Sequence, residues 1–466
     1  VKLHFLGANR QVTGSKYCLE VGGKRVLIDA GMFQERQFEP RNWEPCPIVP
    51  NSIDAMLLTH AHLDHCGLIP RLVRQGLSCP IYCTPATAPL ADVVMRDSAE
   101  IQMEDLAYKK KRLQRDGRKP KYPLEPLYEV TDVDATLPML QPRGYRTPFD
   151  VTPGVTATFY DAGHILGSAM IEVLARENGT TLRIVFSGDI GQWNKPIIND
   201  PTLFDQADYV VMESTYGDRD HPQAGDVESQ LAEVVSKTAA QGGKLVIPTF
   251  AVERAQELVY YLSRLVRAKR VPSLPVFLDS PMAVDVTAIY GRFRDMFDDD
   301  MLRTIREHES PLSFPNFKLV RTADESKAIN NLAGPAIIMA SSGMCTAGRI
   351  KHHLRNNIEK PEATILFVGH QSEGTLGRQI LDGAPTVRIH GQALRVQAKI
   401  AQIYGFSGHA DRSQLFRWIS HFQQRPKRVF LCHGEEDVAF NFGKYIEKEL
   451  QLRVRVPQYN ETADLE

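Results

Sequence analysis

Residues 57–67 read LLTHAHLDHCG and set His60, His62, Asp64 and His65 within six positions of one another. Imidazole nitrogen and carboxylate oxygen are the donors that suit zinc and similar divalent ions, and crowding four of them together is costly unless a cation collects them. The apolar run from Ala55 to Leu58 ahead of them reads as a buried strand, and GLIPRLVRQG at 67–76 reads as a helix start. The donors therefore sit on a strand-to-helix loop, where side chains can converge on one point. His60 and His62 alternate around Ala61, so both rings can face one side, while Asp64 and His65 at the turn can address a neighbouring position. One loop with two donor pairs points to two cations.

A chain of 466 residues holds two or three domains by the usual length prior. Hydrophobic residues at 43% and charged residues at 24% describe an ordinary globular composition, and no apolar run is long enough to cross a membrane. The start, VKLHFLGANRQVTGSKYCLEV, alternates polar and apolar residues around glycine turns and reads as a hairpin, not a leader peptide. Seven cysteines without a CxxC pair read as free thiols in a reducing cytoplasm. A net charge of −1 gives no global sign of nucleic-acid binding, but residues 109–121, KKKRLQRDGRKPK, hold eight basic residues against Asp116. Such a run is either a solvated helix face or a landing strip for phosphates.

Residues 1 to about 85 read as short strands, including KRVLIDAG at 24–31 and PIYCTP at 80–85, and 86–118 as helical. Strands return between 150 and 190. From about 225, strands rich in Val, Ile and Leu alternate with helices, which implies a doubly wound parallel sheet. Metal-type residues stand on both sides of this α/β block, so it reads as an insertion into a first domain. Four further strand ends carry candidate ligands: His164 in DAGHILGS, Asp189 in VFSGDIG, His409 in GFSGHAD and His433 in FLCHGEED. Each has glycine beside it, which lets the backbone turn sharply next to an ion. A single histidine at a strand end is ordinarily a hydrogen-bonded structural residue; the set is far more specific than any member.

The THAHLDH motif followed by separated His and Asp motifs resembles the metallo-β-lactamase fold. The α/β insertion, Glu213 in VVMESTYGDR, and then His409 and His433 are similar to the β-CASP branch, and within it to ribonucleases related to the endonuclease subunit of the cleavage and polyadenylation specificity factor. That resemblance implies an α/β fold: an αββα metallo-β-lactamase sandwich with an inserted parallel-sheet β-CASP domain. The expected division is 1–208 and 394–466 for the sandwich and 209–393 for the insertion, which would form one wall of a substrate cleft. Gly408 stands where relatives commonly have alanine, a departure that leaves the roles unaltered.

The resemblance places His60, His62 and His164 on a first zinc, and Asp64, His65 and His433 on a second. Asp189 would bridge the two, and Asp29 would orient the metal loop from behind. Manganese can occupy similar sites. Two metals of this kind serve in-line displacement at phosphorus. His409 would protonate the departing sugar oxygen, with Glu213 keeping its imidazole charged and aimed, and Asp64 is counted with them among the catalytic residues. Water attack with loss of the 3′-oxygen would leave 5′-phosphate and 3′-hydroxyl ends on single-stranded RNA, in RNA processing or decay. Endonucleolytic action is favoured over exonucleolytic. Ser341, Ser342 and Gly343 in ASSGMCTAGRI, Arg254 in TFAVERAQEL, and Thr375 and Arg378 in EGTLGR stand at helix starts or glycine turns suited to phosphate contact. A cytoplasmic setting and no membrane partner are expected; a homodimer is left open.

The closest rival is a DNA-processing β-CASP nuclease. Relatives of that kind generally lack the final histidine, so His433 favours RNA. A small-molecule zinc hydrolase of the same superfamily needs neither the long insertion nor the Glu213–His409 pair. An RNA-binding scaffold that had lost catalysis would have shed ligands that are all present here.

Overall fold

The computed structural model describes residues 1–117, 124–222, 225–307 and 310–466. Two compact units emerge. The first joins Val1–Lys195, Asn199–Asp220 and His409–Glu466; the second comprises Pro196–Ile198 and His221–Gly408.

The first unit holds two seven-stranded sheets. One runs in the order Glu461–Asp464, Lys2–Gly7, Lys16–Val21, Lys24–Ile28, Ala55–Leu57, Ile81–Cys83, Leu140–Pro142. The other runs Val454–Arg455, Arg428–Cys432, Tyr209–Glu213, Thr180–Phe186, Ala169–Glu177, Val155–Asp161, Phe149–Thr152. Period-two patterning puts alternate residues on opposite faces. Leu3, Phe5, Leu19 and Ile28 from one sheet and Phe159, Ile171, Phe186 and Phe430 from the other share one buried core. The rings of Phe5 and Phe430 lie 5.0 Å apart across it. Each such side chain contributes roughly 1.5–3 kcal/mol by leaving water. The intervening residues of the second sheet, among them Met170, Val185, Val210 and Leu431, face outward instead. They bury against Trp418 of helix Arg412–Ser420 and Phe442 and Ile446 of helix Glu436–Leu450. A sheet covered on both faces explains why these strands read as nearly continuous apolar runs.

Strands Lys24–Ile28, Ala55–Leu57 and Ile81–Cys83 run parallel, as do Thr180–Phe186, Tyr209–Glu213 and Arg428–Cys432. The loops that leave their C-terminal ends carry Asp29, the THAHLDH motif, Asp189 and His433, and Glu213 is the last residue of its own strand.

The second unit is built on a six-stranded sheet, Phe317–Leu319, Val276–Asp279, Ala336–Ala340, Lys244–Pro248, Thr364–Phe367, Lys399–Gln402, in which every pairing is parallel. Strand Lys399–Gln402 thus belongs by hydrogen bonding to the inserted sheet. Helices such as Val227–Ala240 and Arg254–Arg267 alternate with the strands, as the sequence pattern requires of a doubly wound arrangement. Its buried Asp279 is bonded by Ser326, Arg349 and His353, the last at 2.6 Å, so His353 serves this fold.

All seven cysteines are free, and burial pushes the Cys18, Cys83 and Cys345 thiols up to about 12. Lys109, Lys110 and Lys111 lie exposed on helix Thr87–Asp116, while residues 118–121 of the basic run fall outside the described residues. Among the described residues no helix is long and apolar enough to cross a membrane.

Candidate metal centre

His62 ends the extended segment after Ala55–Leu57 and caps the short helix Leu63–Cys66, which presents Asp64 and His65 one residue apart. Backbone hydrogen bonds tie this helix to the 29–32 loop: Ala30 N–H donates to His65 O at 2.8 Å and Met32 N–H to Leu63 O at 3.0 Å. The approach is so close that a Cβ at Gly31 would sit 1.6 Å from Asp64 O, which only glycine permits. Gly191, beside Asp189, likewise abuts Gly163 O beside His164, at 1.6 Å from a Cβ position. Two loops distant in sequence are thereby brought together. His433 itself sits in the left-handed region at φ 49° and donates its N–H to Ala8 O at 2.7 Å.

The side chains converge as two sets. His60 Nε2 lies 3.2 Å from His62 Nδ1, which lies 3.0 Å from His164 Nε2. His65 Nε2 lies 3.1 Å from His433 Nε2, and that nitrogen is 3.4 Å from Asp64 Oδ2. Asp189, 2% exposed, stands between the sets. Its Oδ2 is 3.4 Å from His60 Nε2 and 3.5 Å from His164 Nε2; its Oδ1 is 3.2 Å from His65 Nε2 and 3.5 Å from His433 Nε2. One carboxylate oxygen faces each set, and Oδ1 is buried without a hydrogen bond. Nitrogens and oxygens just over 3 Å apart are what first-row divalent ions with bonds of about 2.0–2.2 Å require of neighbouring ligands. The donor chemistry, the spacing and the orphaned oxygen all fit metal.

The far sides of the rings are met by Asp29 and by two threonines that the sequence did not single out. Thr59 Oγ1 lies 3.1 Å from His60 Nδ1 and bonds Asp29 Oδ2 at 2.8 Å. Asp29 Oδ2 accepts from His65 Nδ1 at 2.7 Å, while Asp29 Oδ1 accepts from the Thr59 N–H at 2.8 Å. Thr215 Oγ1 lies 3.1 Å from His433 Nδ1. Such partners hold the tautomer that leaves the other ring nitrogen open to an ion. The available sequence signal was adjacency alone, threonine directly before His60 and two residues after Glu213.

Burial, reinforced by neighbouring histidines, lowers the pKa of His60 and His164 and brings that of His62 to about 3, which favours the neutral imidazole that a cation requires. Burial acts the same way on His65 and His433, but the carboxylates of Asp189, Asp29 and Asp64 overcome it and raise both. His409 sits at the rim, its side chain 21% exposed, with Nδ1 3.1 Å from Glu213 Oε1 and Nε2 3.8 Å from Asp189 Oδ2. Burial lowers its pKa, yet Glu213 and Asp189 prevail and hold it at about 9. Glu213 is buried and pinned by the Ile190 N–H at 2.6 Å.

In the second unit, Ser341, Ser342 and Gly343 directly follow strand Ala336–Ala340, and Arg254 opens helix Arg254–Arg267. Ser342 Oγ accepts the Thr346 N–H at 3.1 Å, and Ser341 Oγ bonds Ser280 Oγ at 3.1 Å. Thr375 caps helix Leu376–Leu381 by accepting the Arg378 N–H, and Arg378 pairs with Asp382 at 2.8 Å. Both are engaged locally.

Fold and site together define a protein of the two-sheet sandwich type with a buried His/Asp cluster that could hold metal. Residues 18–214 match the metallo-beta-lactamase superfamily domain, 255–380 the Beta-Casp domain, and 393–457 the Zn-dependent metallo-hydrolase RNA specificity domain. The chain is 39% identical over 440 residues to ribonuclease TTHA0252 of Thermus thermophilus, a match covering 94% of each. It is 32% identical over 477 residues to transcription termination factor FttA of Methanosarcina mazei, covering 100% of this chain and 72% of that one. A crystal structure of a protein of unknown function from Enterococcus faecalis shares the fold, with a TM-score of 0.55 at 13% identity and 99% of each chain covered. The chain belongs to the β-CASP branch of the metallo-β-lactamase superfamily.

Proposed function

We propose that this protein is a ribonuclease that hydrolyses phosphodiester bonds of single-stranded RNA with two zinc ions, endonucleolytically, in RNA processing or decay. The observation that carries this reading is the Asp189 carboxylate, which offers one oxygen to each of two histidine sets. His60, His62 and His164 would hold one ion and Asp64, His65 and His433 the other, with manganese able to replace zinc. Such ions supply Lewis-acid stabilisation of charge growing on a phosphate and lower the pKa of a water. The names borne by the relatives, a ribonuclease and a transcription termination factor, support RNA as the substrate.

The chain's own residues complete the chemistry. Hydrolysis forms a bond from a water oxygen to phosphorus and breaks the bond from phosphorus to the 3′-oxygen, which needs a proton. His409 is held through Nδ1 by Glu213, so its Nε2–H is the proton available to the leaving oxygen. Asp64, with a side chain 17% exposed against 1% for Asp189, is the carboxylate of the cluster open to take the proton from the attacking water. The products carry 5′-phosphate and 3′-hydroxyl ends, and no ribose 2′-hydroxyl takes part. Arg254 and the Ser341–Ser342–Gly343 turn contact substrate phosphates, with Thr375 and Arg378 at the margin of that surface.

The test is cleavage of end-labelled single-stranded RNA, set beside matched DNA and a thioester, with and without chelator. Chelator-sensitive RNA cleavage leaving 5′-phosphates is expected. Preference for DNA or for the thioester would overturn the reading in favour of the corresponding rival.

A further inference from the structure

Phe250 and Tyr404 are exposed aromatic rings of the inserted unit, at 37% and 46%, and both stand at the same edge of its parallel sheet. Phe250 follows the end of strand Lys244–Pro248 by two residues, and Tyr404 follows Lys399–Gln402 by two. Those strands flank Thr364–Phe367 on either side, so they are two interstrand spacings, about 10 Å, apart. C-terminal strand ends are where open α/β sheets take their ligands.

The Phe250 ring is positioned, not loose. A Cβ at Gly343 would lie 2.5 Å from its Cδ2, so the ring packs where only glycine leaves room. The Arg254 guanidinium lies 5.2 Å from the ring centroid, and its Nε–H donates to Phe406 O at 2.7 Å. Gly369 makes space for the same group, since a Cβ there would be 2.5 Å from Arg254 Nη1. Among the described residues no carboxylate pairs with Arg254. A fixed cation without a counter-charge therefore stands beside one aromatic ring, and its bond to Phe406 ties it to the segment that carries the other. Tyr404 directs its hydroxyl to Gln402 Oε1 at 3.0 Å, which leaves its ring as the exposed surface.

We infer that Phe250 and Tyr404 are stacking platforms for two bases of single-stranded RNA, with the Arg254 guanidinium on the phosphate between them. This rests on the ribonuclease reading above and adds how unpaired bases are selected over a duplex: a base already stacked in a helix has no face to offer a ring. Stacking tolerates any base, because every base has a π face, so the surface selects strandedness and not sequence.

The test is equilibrium binding of a short fluorescent single-stranded RNA to the metal-loaded protein in a His409→Ala background, with RNA integrity checked afterwards. Phe250→Ala and Tyr404→Ala should each weaken binding by roughly 5- to 100-fold, while Phe250→Trp retains it. The salt slope should stay unchanged in the Ala variants but fall by about 0.7 in Arg254→Gln, which loses one phosphate contact. An RNA with abasic nucleotides in its bound stretch should bind the parent as weakly as the intact RNA binds the Phe250→Ala, Tyr404→Ala double variant. Parental affinity in both Ala variants would overturn the platform assignment while leaving the ribonuclease reading intact. No RNA binding by the parent would overturn that reading, and this one with it.

Discussion

Asp29→Asn isolates the carboxylate behind the metal loop. Asp29 adopts φ 56°, a left-handed conformation that asparagine tolerates as well as aspartate does, so the backbone is not strained by the change. Its Oδ1 accepts from the Thr59 N–H at 2.8 Å and its Oδ2 from His65 Nδ1 at 2.7 Å and Thr59 Oγ1 at 2.8 Å. An amide must place its NH2 on one side or the other. On the first it confronts a backbone N–H that cannot reverse. On the second it confronts His65 Nδ1–H, and His65 escapes only by moving its proton to Nε2, the atom 3.1 Å from His433 and 3.2 Å from Asp189. Either outcome loses a hydrogen bond to a charged group, about 1.5–3 kcal/mol. That range corresponds to roughly 10- to 150-fold in zinc affinity, in line with the cost of losing a partner behind a ligand. Competition against a chromophoric chelator measures it, and thermal melting of the metal-free forms checks that the fold survives. Parental zinc affinity in a normally folded Asp29→Asn protein would refute the assignment of Asp29 as the group that orients His65.

Other substitutions separate the remaining roles. His409→Ala should keep its metal content by elemental analysis yet lose 10²- to 10⁴-fold in RNA turnover, the usual contribution of a general acid; undiminished cleavage would remove His409 from the mechanism. His62→Ala should lose both metal and activity, and retention of two ions per chain would contradict its place in the first set. Burial raises the Asp161 carboxyl to about 7 despite the Gly163 N–H at 2.9 Å. A carboxyl held higher in the folded state disfavours folding as pH climbs from about 4 to 7, so Asp161→Asn should match the parent near pH 4 and exceed it at pH 8. The gain should be about 1–2 kcal/mol once solvent screening of this partly exposed group is allowed for, read as a difference in melting temperature; an equal gain at both pH values would count against it. Affinity for single-stranded RNA should fall with added salt, and a flat response would argue against phosphate contact altogether.

The fold was largely legible because its signals are local. Runs such as Val26–Ile28, Ile184–Phe186 and Phe430–Cys432 are short, apolar and bounded by turns, and the alternation with helices after residue 225 marks a parallel sheet. The THAHLDH loop announced its chemistry in the same way, since its donors are neighbours in the chain. Pairings across the molecule were beyond such reasoning: Glu213 and His409, 196 positions apart, meet at 3.1 Å, and nothing in their flanking residues encodes that distance. Thr59 and Thr215 were passed over because a threonine beside a ligand is common and its partner nitrogen becomes visible only in three dimensions. Phe250 was hidden in an apolar-looking turn, where burial is the ordinary expectation and exposure the informative exception.

The ligand-bearing strand ends are spread from residue 60 to residue 433, and strand Arg428–Cys432 must slot beside Tyr209–Glu213 before the last imidazole arrives. A nascent or truncated chain cannot assemble the full donor set, however well its early strands have formed, because long-range closure comes late. Completion of the donor cluster is thus tied to completion of the sheet: on the proposed reading, cleavage would await the arrival of His433, and a chain ending before it would carry the early donors without the finished centre.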